Sequence, residues 1–311
     1  MADHDQRLKV AVPEFLAEFV DLVMPAGWAG RFACSSAEWL TQEIFLDPPK
    51  GERRLLDLVA RVLVTQPTGD SSQTLLHVEI ESGDNLTSLR GRIPGYHDGL
   101  RARHGVPVLS VALYLGVGLQ GKGWDSVGED FWEESLGSRR WPYLGLPGLN
   151  ALDFVEGPNI LGVGLCVLMR IPVGQEARLK ARAMRRIAEA TLTPMRRFLL
   201  MEMIEAYLPL VSPHLGEYQQ LLLTEDFNMV RVMGQTTFEK GIEMGEEKGQ
   251  RLLLLDQLEA KFDPLSEVAR QRLADLPAER LRELGRALLR AGSLAELGLE
   301  DESNGTARTP G

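Results

Sequence analysis

The sequence predicts an α/β protein with a helical C-terminal region, and three patterns lead to this prediction. Residues 55–64 and 74–82 are β-rich runs joined by a loop of Pro, Gly, Ser and Asp, as in a hairpin. Residues 86–103 repeat apolar side chains at spacings of three and four, which predicts a helix, and residues 106–115 then form an apolar strand of the sheet centre. After residue 226 the patterns are helical.

Composition narrows the class of protein. The 311 residues suffice for one large domain or two ordinary ones, with 44% hydrophobic and 25% charged residues, as in soluble globular proteins. The formal net charge of −10 disfavours avid non-specific binding to nucleic acid, which needs a positive field. Cys34 and Cys166 lie far apart, as expected of reduced thiols in the cytoplasm. With a polar N-terminus and no run of about 18 apolar residues, we expect neither a signal peptide nor a membrane span.

The first elements are predicted to be helical. Residues 13–23 show an amphipathic pattern that begins at Pro13, and residues 37–46 form a short helix or a passage from helix to strand. Glu43 lies in this second stretch. It either reaches a functional site or is an acid on the surface.

The strand 74–82 places acids on one face. Its apolar and polar residues alternate, as follows: Leu76, Val78 and Ile80 against His77, Glu79 and Glu81. Carboxylates two residues apart on a strand are about 7 Å apart and repel by about 2 kcal/mol at an effective dielectric of about 20. This face is therefore either solvated, as on an edge strand, or neutralised by a cation or by protons.

Asp57 is a lone acid among aliphatic residues of the preceding strand. A buried carboxylate is costly without a partner or a metal. An antiparallel hairpin would bring Asp57 beside Glu79 or Glu81. Carboxylates that converge in this way would form a site of the Mg²⁺ type, with one or two carboxylates and several waters.

These residues resemble a nuclease family. An acid in one strand, followed by Glu-x-(Lys/Gln/Glu) in the next, resembles the core of the PD-(D/E)XK nucleases. The stretch from His77 to Ser82 is similar to the Rpn family of recombination-promoting nucleases within that superfamily. The order of a helix acid, Asp57, Glu79-x-Glu81, an Arg/Tyr helix, a strand and a Glu/Gly repeat is more specific than the short motif, and it covers most of residues 15–297.

The resemblance implies a central mixed sheet flanked by helices and a metal-dependent DNA endonuclease that hydrolyses phosphodiester bonds and promotes recombination. Mg²⁺ or Mn²⁺ would be bound by Asp57 and Glu79, with Glu43 as a further ligand. Glu81 stands where the superfamily usually has Lys and this family often has Gln. It would act as a catalytic ligand or base, or it marks a site that has lost activity, because a carboxylate cannot donate to a phosphate.

The helix 86–103 is the most basic segment near these acids. Arg90 and Arg92 are the predicted contacts to DNA phosphates, and a solvated helix face is the alternative. Residues 176–197 form a second basic helix with the same two interpretations.

The predicted organisation has three parts: a nuclease-like domain at 10–225 with a Gly/Trp-rich insertion at about 117–158, a helical region at 226–299, and a disordered tail at 300–311. Residues 159–171 are apolar and add a further strand. Glycines recur every four residues at Gly241, Gly245 and Gly249, which favours close helix packing or a loose tether. The C-terminal helices are predicted to serve homo-oligomerisation or partner binding.

Two functions follow from the sequence. The first is the Mg²⁺-dependent nuclease with DNA as its partner. The second is a catalytically degenerate nuclease-like scaffold, which acts as an oligomerisation or protein-interaction module through the C-terminal helices.

Overall fold

The computed structural model describes most of the chain, and it divides into two compact units, Met1–Met233 and Gly234–Gly311. The described residues are 2–40, 44–47, 52–55, 57–82, 86–230, 251, 253–262, 265–274, 276–288 and 290–299.

The first unit contains a six-stranded sheet and a separate two-stranded one. The strands are β1 (Glu38–Trp39), β2 (Ile44–Asp47), β3 (Glu52–Leu55), β4 (Leu58–Thr65), β5 (Ser71–Glu81), β6 (Val108–Tyr114), β7 (Gly121–Phe131) and β8 (Glu134–Gly145). The large sheet has the order β1-β4-β5-β6-β8-β7, and β2 pairs with β3.

The helices of the same unit surround the large sheet. They are α1 (Ala2–Glu14), α2 (Leu16–Val23), α3 (Leu86–His104), α4 (Ala151–Val155), α5 (Ile160–Leu165), α6 (Glu176–Glu189), α7 (Pro194–Tyr207) and α8 (His214–Leu222).

The large sheet is mixed. β4 and β5 form the predicted antiparallel hairpin, and β5 continues through α3 into the parallel strand β6. β8 is parallel to β6 and antiparallel to β7. The prediction of an α/β fold with a mixed sheet between helices is therefore confirmed.

The two faces of the sheet are covered differently. The face that carries Leu76, Val78 and Ile80 packs in the main core with apolar residues of α1, α2 and α5–α7. The opposite face packs against α3, whose buried stripe follows the predicted helical spacing: Leu89, Ile93, Tyr96 and Leu100.

Several local predictions were wrong. Residues 159–171 contain α5 and a 3₁₀ turn, not a strand. Asn159 caps α5, since its Oδ1 accepts the N–H of Gly162 at 3.0 Å. Residues 161–165 are all buried, and a segment that is apolar on every side shows no period to separate helix from strand.

The N-terminal boundaries also differ from the prediction. The first helix begins at Ala2 and contains Pro13 near its end, with α2 following after Phe15. Residues 37–46 were predicted as a short helix or a passage from helix to strand. Their described part has β1 and the start of β2, so the strand is confirmed and the helix is not found there. Residues 117–158, predicted as an insertion, contribute β7 and β8 to the main sheet.

The second unit is helical in its described part. Residues 253–262 form a helix (α9), followed by α10 (Glu267–Ala274) and α11 (Ala278–Leu288). Leucines from these helices form one core, which includes Leu254, Leu258, Leu273, Leu281 and Leu288. The glycine repeat and the predicted tail lie outside the described residues. In the part of the chain that the structure describes, no helix is long and apolar enough to cross a membrane.

Candidate functional site

The polar face of β5 is buried beneath α3. His77 is 0% exposed, Glu79 3% and Glu81 9%, and Ser110 of the neighbouring strand β6 is 4% exposed. The alternation predicted for this strand is thus confirmed, and the acids are not on a solvated edge. Buried polar groups require partners, so the contacts of these side chains define the site.

His77 connects Glu79 to the next strand. Its Nε2 lies 3.0 Å from Oε1 of Glu79, and its Nδ1 lies 3.1 Å from Oγ of Ser110. The ring of Tyr96 from α3 meets the imidazole edge-to-face, with centroids 5.9 Å apart. His77 is therefore held on three sides, and it fixes the orientation of the Glu79 carboxylate.

Asp57 lies beside Glu79, as the hairpin predicted. Leu58 pairs with Val78, which places Asp57 next to Glu79 at the end of the ladder. The Asp57 N–H points to Oε1 of Glu79 at 3.5 Å, and the Ile80 N–H donates to Oδ2 of Asp57 at 2.8 Å. Lys9 from α1 brings its Nζ to 2.8 Å from the other oxygen, Oδ1.

Glu81 has a cationic partner on α3. Nη2 of Arg92 donates to Oε2 of Glu81 at 3.1 Å and lies 4.0 Å from Oε2 of Glu79. The Arg92 side chain is 29% exposed, so part of it is accessible to solvent. The two predicted site residues Arg92 and Glu81 therefore come together.

Arg90 binds a different acid. Its Nε and Nη2 donate to the carboxylate of Asp125 on β7 at distances between 2.7 and 3.1 Å. The side chain of Asp125 is 4% exposed and that of Arg90 is 55% exposed. Tyr114 lies nearby, and burial together with the Asp125 charge raises its pKa to about 12.

The predicted residues thus divide into groups. The structure brings Asp57 and Glu79 into contact and joins Glu81 to Arg92, whereas Arg90 is held by Asp125. Glu43 lies outside the described residues.

Sequence reasoning gave no role to His77, Lys9 or Ser110. A signal for His77 was present, since it precedes Glu79 by two residues and must share its face. Lys9 and Ser110 reach the site through tertiary packing, which leaves no local pattern.

The donor set suits a hard cation only in part. Among the described residues, no three His, Cys, Asp or Glu side chains are placed to share one metal ion. Mg²⁺ is commonly held by one or two carboxylates and several waters, so Asp57 and Glu79 are suitable residue types. The contact between them, however, joins the Asp57 backbone N–H to the Glu79 carboxylate and does not join the two carboxylates. Lys9 would have to release Oδ1 of Asp57 for such an ion to bind.

A serine-type mechanism does not fit the same residues. Ser110, His77 and Glu79 are the residue types of a Ser-His-Glu triad, and their hydrogen bonds connect them in that order. A nucleophile must contact its substrate, whereas Ser110 is buried within an interior strand of the sheet. These contacts support positioning of Glu79 and not attack by the hydroxyl.

A surface recess of about 350 Å³ lies apart from these acids. It is lined by residues of α3 and of the β7–β8 hairpin, among them Pro94, Val127 and Leu136. None of the carboxylates Asp57, Glu79 and Glu81 lines it, so this recess is not the candidate site.

No family model, curated protein or solved structure matches this chain. The assignment of a function therefore depends on the geometry described above and on the sequence motif.

Proposed function

We propose that the first unit is a metal-dependent DNA endonuclease of the Rpn type, with a PD-(D/E)XK core. The observation that carries the proposal is the hairpin register that places Asp57 beside Glu79 near the carboxyl-terminal end of β5, where the Asp57 backbone N–H lies 3.5 Å from the Glu79 carboxylate. In open α/β sheets, ligands bind outside the carboxyl ends of the strands, which is where these acids lie. The resemblance of the Asp57…Glu79-x-Glu81 motif supports the same activity.

Asp57 and Glu79 would hold Mg²⁺ or Mn²⁺. Bound there, the metal would supply a polarised water and charge neutralisation at the phosphate. In the reaction, a water oxygen forms a new bond to phosphorus and one P–O ester bond breaks. The attacking water loses a proton and the departing sugar oxygen gains one.

The chain's own residues would prepare the site for this reaction. His77 orients Glu79 through a hydrogen bond that is sealed from water. Lys9 balances the charge of Asp57 until a cation binds. Arg90 and Arg92, on the helix that covers the site, are the proposed contacts to DNA phosphates, and their partial exposure supports this role.

Cleavage of a supercoiled plasmid in Mg²⁺ or Mn²⁺ tests the proposal. We expect nicking by the wild type and none by Asp57→Ala or Glu79→Ala, with the folded state of each variant confirmed by circular dichroism. Metal-dependent cleavage that persists in both variants would move the activity to another site. Absence of cleavage by well-folded wild type would reject the nuclease proposal.

A second candidate is a nuclease-like scaffold without catalysis, and one observation favours it. Lys9, His77 and Arg92 already provide partners for Asp57, Glu79 and Glu81, so the acids are satisfied without a metal. Under this proposal the protein acts through its C-terminal helices, as an oligomer or as a partner-binding module in the cytoplasm, and divalent cations leave its stability unchanged.

A further inference from the structure

The partner of Glu81 gives this residue a role different from that of a ligand or base. Oε2 of Glu81 accepts a hydrogen bond from Nη2 of Arg92 at 3.1 Å, and the Glu81 side chain is 11% exposed. The Oε2 oxygen of Glu81 is therefore already occupied by the guanidinium. In this arrangement Glu81 positions the Arg92 side chain.

The charges at this end of the sheet require such a cation. Asp57, Glu79 and Glu81 together carry three negative charges if all are ionised. A phosphodiester that approaches to about 7 Å from an uncompensated carboxylate is repelled by about 2 kcal/mol at an effective dielectric of about 20. The Arg92 guanidinium offsets the charge of Glu81 and, at 4.0 Å, part of that of Glu79.

Arg92 also has unused hydrogen-bonding capacity. A guanidinium has five N–H donors in a planar fork, and here Nη2 binds Glu81. Nε of Arg92 is buried and has no hydrogen-bond partner among the described residues. The side chain as a whole is 29% exposed, so part of it faces solvent, from where an anion can approach.

We infer that Glu81 and Arg92 act as one unit, in which Glu81 positions Arg92 and the Arg92 guanidinium binds the non-bridging oxygens of the scissile phosphate. The inference rests on the proposed nuclease function and deepens it. It also explains why position 81 can be an acid. The positive charge that a Lys at this position of the strand would supply comes instead from Arg92 on the helix α3.

Rescue by a relocated charge tests this inference. In plasmid cleavage by the full chain with Mg²⁺, Arg92→Met should lower the rate about 100-fold, the usual loss when one charge-stabilising donor is removed. The double variant Arg92→Met with Glu81→Lys should cleave at least about tenfold faster than Arg92→Met alone, because the new ammonium supplies the positive charge that Arg92 provided. A purely structural ion pair predicts no rescue, since the double variant lacks the pair as well.

Two further variants control for packing. Arg92→Gln keeps a neutral hydrogen-bond donor near Glu81 and should lose as much activity as Arg92→Met. Arg61→Met removes an arginine of similar exposure, 31%, from its ion pair with Glu38, and should leave cleavage unchanged.

The outcomes separate the two proposals. Cleavage by wild type with no loss in the Arg92 variants, or with no rescue in the double variant, overturns the inference and leaves the nuclease assignment intact. Absence of cleavage by wild type overturns both.

Discussion

The two faces of β5 are both buried, but one is apolar and the other is polar. Leu76, Val78 and Ile80 enter an apolar core, where burial itself stabilises the fold. His77 and Glu79, on the other face, are buried to the same degree and must be compensated by hydrogen bonds and counter-charges. The comparison teaches that one face is stabilised by burial alone, while the other is stable only because each buried polar group has a partner.

The apolar face should show the largest effect on stability. Leu76 is 1% exposed, so Leu76→Ala should lower the free energy of unfolding by about 2–5 kcal/mol through lost burial and a cavity. Leu63→Ala, at a position on β4 that is 41% exposed, is the matched control and should change it by no more than about 0.5 kcal/mol. Chemical denaturation measures both. Equal losses at the two positions would contradict this assignment of the core.

The polar face should respond to paired changes. His77→Leu removes the 3.0 Å partner of Glu79 Oε1 and leaves that buried oxygen only the longer contact from the Asp57 N–H, so it should cost about 1–3 kcal/mol of unfolding free energy. Adding Glu79→Leu should recover most of this loss, because replacing both members by apolar groups removes the unsatisfied charge.

The same double variant sharpens the comparison between the faces. It should approach wild-type stability in denaturation and have no cleavage activity. If the double variant is less stable than His77→Leu, the polar pair stabilises the fold instead of being retained for function.

The smallest effect concerns His97, at the outer side of α3. Burial, and then the charge of Arg139, lowers its pKa below the ordinary value of about 6.5. The unfolded chain therefore takes up a proton at higher pH than the folded chain does. The stability of the fold that comes from neutral His97 is therefore fully present above pH 6.5, and it is lost as the pH falls through the lowered pKa.

His97→Gln removes that titration. Between pH 7.5 and pH 5, the wild type should lose more unfolding free energy than His97→Gln, as measured by denaturation at each pH. Arg139 donates to Nε2 of His97 at 3.2 Å and also pairs with Asp98, so the variant keeps the nearby charges. Parallel pH profiles of the two proteins would contradict the assignment.

Sequence patterns were informative where a period or a turn determines structure. The hairpin, the alternation on β5 and the apolar stripe of α3 each followed from local spacing, and they brought Asp57 to Glu79. Residues 159–171 were assigned wrongly because a fully buried helix has no polar face to reveal its period.

The partners of the acids were beyond such patterns. Lys9 lies 48 positions before Asp57 along the chain, and Ser110 lies 33 positions after His77. Their contacts arise from the packing of α1 and the parallel pairing of β5 with β6. Local sequence patterns identified the acids themselves, whereas the residues that neutralise or hydrogen-bond them are brought close only by the tertiary structure.

The most direct test of the central claim, that Asp57 and Glu79 form a cation site, is the stability of the full chain with and without Mg²⁺. Binding to the native state alone should add about 2.7 kcal/mol at a Mg²⁺ concentration 100 times the Kd. We predict a rise in melting temperature for the wild type on moving from EDTA to Mg²⁺, and none for Asp57→Asn. An equal rise in both proteins, or none in the wild type, would contradict the claim.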